Sequence, residues 1–217
     1  MSRLLVVALC YAVALVAFGA FAEIGSSVIA HGEPALFVPW ERSLFDHSTL
    51  LAWWLTWACY PGALIPICLI VLFLAWRYPQ WRTRLILSVV SLLISWRGAD
   101  YFQHVYARHR PLEWVVRHET TFSYPSSHAA IAVGFYGLLA LMIFASDLPR
   151  TTRNVAGVLL VVLAAAICWS RVALGAHYIT DLLGGALFGA VVACLMMGVL
   201  ASGAFGGVGG RLSRTAE

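Results

Sequence analysis

Apolar stretches alternate with short polar connections along the chain, and six are long enough to cross a hydrocarbon core of about 30 Å. They cover residues 4–20, 54–76, 85–103, 129–145, 155–174 and 178–200. The pattern predicts an all-α integral membrane protein: one domain over residues 1–202, a bundle of six transmembrane helices, with a Gly-rich, then polar, flexible tail over 203–217. Trp53, Trp54, Trp57, Trp76 and Trp81 bracket the second stretch, as an interfacial aromatic belt would. Gly185 and Gly189 form a small-xxx-small pair on the last, which favours close helix packing. The segment 23–53 mixes Val28, Phe37 and Trp40 with Glu33, Glu41 and Asp46. It is too polar to span and predicts an outer-surface segment with a short interfacial helix.

Composition removes the main alternative, a soluble helical domain. Hydrophobic residues make up 61% of the 217, charged ones 11%, and mean hydropathy is +0.84. A soluble domain carries about 25% charged residues. Net charge is +4, every basic residue is Arg, and no basic run interleaves with aromatics, so no nucleic-acid partner is expected. Cys10, Cys59, Cys68, Cys168 and Cys194 lie in apolar runs and read as small buried hydrophobes, neither a disulfide framework nor a zinc site. Arg3, Arg77, Arg82, Arg84, Arg150, Arg153, Arg211 and Arg214 fall on one side if both termini are cytoplasmic. Arg42, Arg108, Arg110, Arg117 and Arg171 fall on the other, a minority that calls for a different explanation.

Three polar groups converge on that second side. Arg110-Pro111 follows the third stretch, Pro125-Ser126-Ser127-His128 opens the fourth, and Ser170-Arg171, His177 and Asp181 straddle the junction of the last two. Arg110 and Arg171 offer planar, permanently charged donors for phosphate oxygens. Ser126 or Ser127 adds neutral donors at a helix start. His177 and Asp181, four apart on a predicted helix, share a face, so Asp181 can hold one ring nitrogen while the other attacks phosphorus. His128 on another helix is free to protonate the leaving oxygen.

The series Arg-Pro, Pro-Ser-Ser-His and Ser-Arg-x5-His-x3-Asp resembles the type 2 phosphatidic acid phosphatase family over roughly residues 101–189. The resemblance implies a six-span lipid phosphatase working without metal or cofactor. His177 would be the nucleophile, Asp181 its orienter and His128 the acid, with Arg110, Arg171 and Ser126 on the phosphate. Two positions depart from the family pattern. Gln103 stands where the family has Lys, and Ser127 where it has Gly. Ser127 keeps its backbone N–H; Gln103 removes a cation, for which Arg108, His104, His109 or Arg97 are the candidate replacements. Ser127, Gln103 and Arg108 thus join the phosphate-binding set as weaker members.

The family analogy further implies a bacterial inner-membrane enzyme with its active site at the outer membrane–water interface. Its substrate would be a membrane lipid: undecaprenyl pyrophosphate first, then phosphatidylglycerophosphate, phosphatidic acid or lipid A. Two rivals use the same residues, a lipid phosphotransferase and a phospholipid-binding or transport protein that does not hydrolyse. Taken singly, each group also has a bland role. Arg110 and Arg117 serve as snorkelling residues, His128 as a helix-start residue, and His177 with Asp181 as a structural pair.

Overall fold

The computed structural model describes residues 2–45, 50–111 and 119–203. Asp46, His47, Glu113, Arg117, His118, Arg211, Arg214 and the tail beyond Gly203 lie outside them. The described chain is helical throughout: α1 (Arg3–His31), α2 (Val38–Leu44), α3 (Leu50–Trp57), α4 (Pro61–Arg77), α5 (Arg82–Tyr106), α6 (Ser127–Ile131), α7 (Leu138–Phe144), α8 (Arg150–Ala173) and α9 (Ile179–Ser202). Five segments are each long and apolar enough to cross a membrane, α6 and α7 counting as one; α3 with α4 makes a sixth, bent by 45°. Leu15, Val16, Leu69, Leu159 and Val162 on these helices are more than half exposed, which only a lipid solvent tolerates on this scale.

Breaks in the helices have local causes. Pro61 pushes Tyr60 into extended backbone (φ −88°, ψ 152°), separating α3 from α4. Trp54 and Trp57 are exposed near this break and Trp76 at the far end of α4, as an aromatic belt requires. Ser126 caps α6, its Oγ accepting from Ala129 N at 3.4 Å. Between α6 and α7 the chain takes one wide π turn, Ala132–Gly137, and Ser91 Oγ on α5 donates to the Gly134 carbonyl.

The first helix extends eleven residues past the predicted end at residue 20, as far as His31. Nothing breaks it before Gly32, which caps it at φ +78°. Its polar face is solvated internally, Ser26 Oγ donating to Ala22 O and His31 Nδ1 meeting Ser27 O. A short helix is present within 23–53 as α2, with apolar residues on its outer side and its acid turned into the protein. Trp40 and Leu44 are exposed, and the buried residue is Glu41.

Helix α9 is the central post, packed along α1 and against α5, α6 and the π turn. Gly185 and Gly189 permit this contact. A side chain at either would run into the backbone carbonyls of Ser126 and Ala130 respectively. Phe21, Phe102, Tyr106, Tyr124 and Phe188 form an aromatic cluster between α1, α5 and α9, with Tyr124 Oη donating to Phe21 O at 2.5 Å. Tyr124 therefore anchors its loop inside the core. The five cysteines are free and buried or half-buried.

Candidate active site

At one end of the bundle α5 stops, α6 begins, α8 stops and α9 begins, and the polar residues singled out in the sequence meet there. Ala107 ends α5 in the left-handed region (φ +48°), its N–H donating to Gln103 O at 2.9 Å. That reversal turns the following Arg108 and Arg110 inward, where both are buried.

Arg110 is bonded on every side. Its Nε donates to Thr121 O (2.8 Å), one terminal nitrogen to Thr121 Oγ1 (2.7 Å) and Phe122 O (3.2 Å), and the other to Ala176 O (2.8 Å). The same nitrogen lies 3.0 Å from His177 Nε2. Burial, then the charge of Arg171, pulls Arg110 down to about 10, so it remains a cation at neutral pH. Arg171 is 1% exposed. It donates to Thr56 Oγ1 at 2.7 Å and to Glu119 Oε1 at 2.9 Å, while its Nε has no hydrogen-bond partner among the described residues. Tyr60 Oη donates to the same Glu119 oxygen at 3.0 Å. Burial would raise Glu119, but the Arg171 charge outweighs it and holds the carboxyl low.

His177 sits just before α9, where Tyr178 is the cap. The expected sharing of one helical face is thus replaced by a cap: Asp181, in the first turn, accepts from Tyr178 N at 2.9 Å and faces His177 Nδ1 at 3.5 Å. The His177 ring is pushed well below its ordinary range by burial and then by Arg110 and Arg171, which makes it neutral at neutral pH. Its Nε2 faces a guanidinium that can only donate, so the lone pair belongs on Nε2 and the proton on Nδ1, toward Asp181. Asp181 is wholly buried and also accepts from Arg108 at 2.6 Å and from Ser123 Oγ. His128 stacks edge-on against Tyr60 at 5.1 Å, within electrostatic range of Arg171, His177 and Arg110, and its buried Nε2 has no hydrogen-bond partner among the described residues.

Ser126 is buried and its N–H donates to Asp181 O at 3.0 Å, so α6 and α9 start from a shared hydrogen bond. Gln103 lies behind Ser127. Its amide donates to Pro125 O at 2.9 Å and Ser127 Oγ at 3.0 Å, tying α5 to the start of α6. Of the four candidate replacements for the family's Lys, only Arg108 is buried; His104, His109 and Arg97 are exposed, and Arg97 pairs with Asp100 at 3.6 Å. Arg108 is committed to carboxylates. Besides Asp181 it donates to Thr180 Oγ1 (2.8 Å) and Glu33 (2.9 Å), and its guanidinium lies 4.3 Å over the Tyr178 ring. Burial works against the Arg108 charge, and Asp181 and Glu33 more than offset it.

Sequence reasoning missed Thr56, Ser123, Thr180, Glu33 and Glu41 as site residues. Thr56 and Ser123 carry no signal. The two acids do: each stands among apolar and proline neighbours, where a charge is costly unless it is used.

Comparison with known proteins follows the same layout. The family model of the PAP2 superfamily matches residues 84–202. A putative undecaprenyl-diphosphatase, YbjG, from Escherichia coli (strain K12) is 33% identical over 141 residues, 60% of this chain and 63% of that protein. Phosphatidylglycerophosphatase B from Bacillus subtilis (strain 168) is 33% identical over 100 residues, 40% of this chain and 47% of that protein. The chain therefore spans less than two thirds of either curated relative. The crystal structure of a transmembrane PAP2-type phosphatidylglycerolphosphate phosphatase from Bacillus subtilis superposes with a TM-score of 0.68 at 20% identity, covering 94% of this chain and 98% of that one, a likeness of fold. With more than half of its length inside the family model and its fold matched from end to end, the chain belongs to the PAP2 superfamily of membrane proteins.

Proposed function

We propose that the protein is a lipid phosphate phosphatase that works through a phosphohistidine at His177. One observation carries this reading: a neutral, buried His177 presents the lone pair of Nε2 to a cationic mouth in which Arg171 Nε and His128 Nε2 have no hydrogen-bond partner among the described residues. In the first step His128, having taken up a proton as the phosphate dianion enters between the arginines, gives it to the leaving oxygen while Nε2 bonds to phosphorus and the bond to that oxygen breaks. In the second, water attacks the phosphohistidine, His128 takes the proton from the water, and phosphate leaves with Nε2 restored. Asp181 stabilises the Nδ1–H side of the ring throughout, as a carboxylate does for imidazole in a hydrolase triad. Arg171 takes the charge that develops on the equatorial oxygens, joined by Arg110, whose N–H toward His177 is released when Nε2 bonds to phosphorus, with Ser126 and Ser127 at the helix start as neutral donors.

Both named relatives act on lipid phosphates by their names, an undecaprenyl diphosphate and a phosphatidylglycerophosphate, and these are the first substrates to try. Arg3, Arg77, Arg82, Arg84, Arg150 and Arg153 at the other end support a cytoplasmic placement for that end and an outward-facing site in a bacterial inner membrane. A reporter fused at Glu217 would appear outside if this orientation were wrong. The main test is phosphate release in detergent from undecaprenyl pyrophosphate, phosphatidylglycerophosphate, phosphatidic acid and lipid A. Loss of release in His177→Ala supports the mechanism; substantial release by that variant overturns it. Transfer to an added alcohol acceptor would redirect the reading to a phosphotransferase. Binding without turnover by the wild type would favour the transport rival and make Gln103 the decisive departure.

A further inference from the structure

The strap of residues 32–45 that follows α1 lies outside residues 84–202 matched to the family, yet it reaches the site with two buried carboxylates. Glu33, its side chain 6% exposed, accepts from Arg108 at 2.9 Å, from Thr180 N at 3.3 Å and from Thr180 Oγ1. Glu41 accepts from Ile179 N at 2.7 Å. These are the first backbone N–H groups of α9, the helix that begins two residues after His177, and a helix has no partners of its own for them.

Arg108 connects this cap to Asp181. One terminal nitrogen donates to Asp181 Oδ1 and Thr180 Oγ1, the other to Glu33 Oε2, and the Tyr178 ring lies beneath the fork. Its direction is fixed on three sides, as a planar guanidinium permits and an ammonium does not. Asp181 Oδ1 is thereby occupied, which leaves Oδ2, bonded to Tyr178 N and Ser123 Oγ, as the oxygen that faces His177 Nδ1.

We propose that Arg108, held from outside by Glu33, is a positioning clamp: it keeps the Asp181 carboxylate charged and aimed at His177 Nδ1, and so makes the strap part of the catalytic apparatus. The inference rests on the role given to His177 above. It also changes the part of Arg108, from a weak phosphate contact to a residue that acts through Asp181.

The experiment compares Arg108→Met, Arg108→Lys and Glu33→Gln with wild type, using the preferred lipid phosphate in detergent. A clamp predicts kcat about 100-fold lower in Arg108→Met with KM little changed. Arg108→Lys should recover only part of that loss, since it keeps one charge near Asp181 but loses the fork to Glu33, and Glu33→Gln should lower kcat about tenfold. The double variant should be no worse than Arg108→Met alone, since both act as one unit. Nitrogen-15 spectra of the His177 ring supply a readout free of turnover, with the proton on Nδ1 in wild type and spread over both nitrogens in Arg108→Met. If Arg108→Met does not fold, Glu33→Gln decides by the same kcat and spectral criteria. A rise in KM at unchanged kcat would overturn the clamp and return Arg108 to the phosphate, as would an unaltered tautomer. Hydrolysis surviving in His177→Ala would instead overturn the functional reading. A silent His177→Ala beside a fully active Arg108→Met defeats the clamp alone.

Discussion

Arginines crowd both ends of the bundle, and they behave differently. At the end opposite the site, Arg77 lies over Tyr78 at 5.2 Å, Arg84 over Trp81 at 5.1 Å, and Arg82 reaches Ala75 O at 3.3 Å, all partly or fully exposed. Beside them is an apolar groove of about 410 Å³ lined by Leu74, Leu85, Leu139, Ile143 and Leu148 among others. At the site end Arg108, Arg110 and Arg171 are buried, with no fewer than two named partners each and carboxylates or carbonyls on their forks. A cation at an interface is ordinary when it snorkels. One withdrawn from water and fully oriented costs free energy that the fold must recover elsewhere, and such expense marks function. This groove lies at the end opposite the candidate site, and its lining holds no nucleophile or buried charge.

Removing the charge at each end should expose this difference most strongly. Arg171→Met is expected to lower kcat/KM by about 10³-fold, whereas Arg84→Met should change it less than about twofold; steady-state kinetics on the two variants decides. Equal losses at both ends would erase the contrast. The next effect is steric: Gly185→Ala drives a methyl group into the Ser126 carbonyl and should destabilise the protein by about 1–3 kcal/mol, read from detergent melting curves. The same change at Gly19, where nothing lies within 4 Å, should be neutral or mildly stabilising.

A smaller effect depends on pH. Burial first, and then neighbouring Glu33, raise Glu41 to about 7 despite its bond from Ile179 N. A carboxyl raised in the folded state holds its proton there while the unfolded chain has lost it. Its contribution is fully present below about pH 4.5 and is lost as pH rises through about 7. Glu41→Gln should therefore be more stable than wild type at pH 8, by on the order of 1 kcal/mol, and lose that advantage at pH 5. Melting at the two pH values checks it; an advantage at pH 5 instead would reverse the sign. The smallest expected change is Ala107→Gly, which relieves a left-handed alanine and should add about 1 kcal/mol or less.

Much of this was legible in the sequence because membrane solvent makes patterns blunt. Six apolar stretches, the Gly185–Gly189 pair and three motifs in order are visible one residue at a time. Arg110, Arg171, His128, His177, Asp181 and Ser126 accordingly come together where the loops predict. What stayed hidden depends on distant partners. Glu41 reads as a surface acid until Ile179 N, 138 residues away, is seen against it. Thr56 is an unremarkable residue in an apolar helix, and only the bend at Tyr60 and Pro61 sets it under Arg171. The inward side of α2 belongs to the same class, since a hydrophobic pattern assumes that acids point to water.

The wide turn at Ala132–Gly137 has a consequence in rotational phase. Each residue of an α-helix advances the chain by about 100° around its axis. A π turn holds one residue more than the α turn it replaces. The span is thus two helices out of step, α7 keyed to the packing against α8 and α6 keyed to the mouth. Winding that turn into α geometry with no residue removed would turn His128 about 100° around the axis of its own helix relative to α7, out of the company of His177, whereas deleting one residue along with the turn would restore the phase. The direction in which His128 points is set by counting residues as much as by what surrounds it.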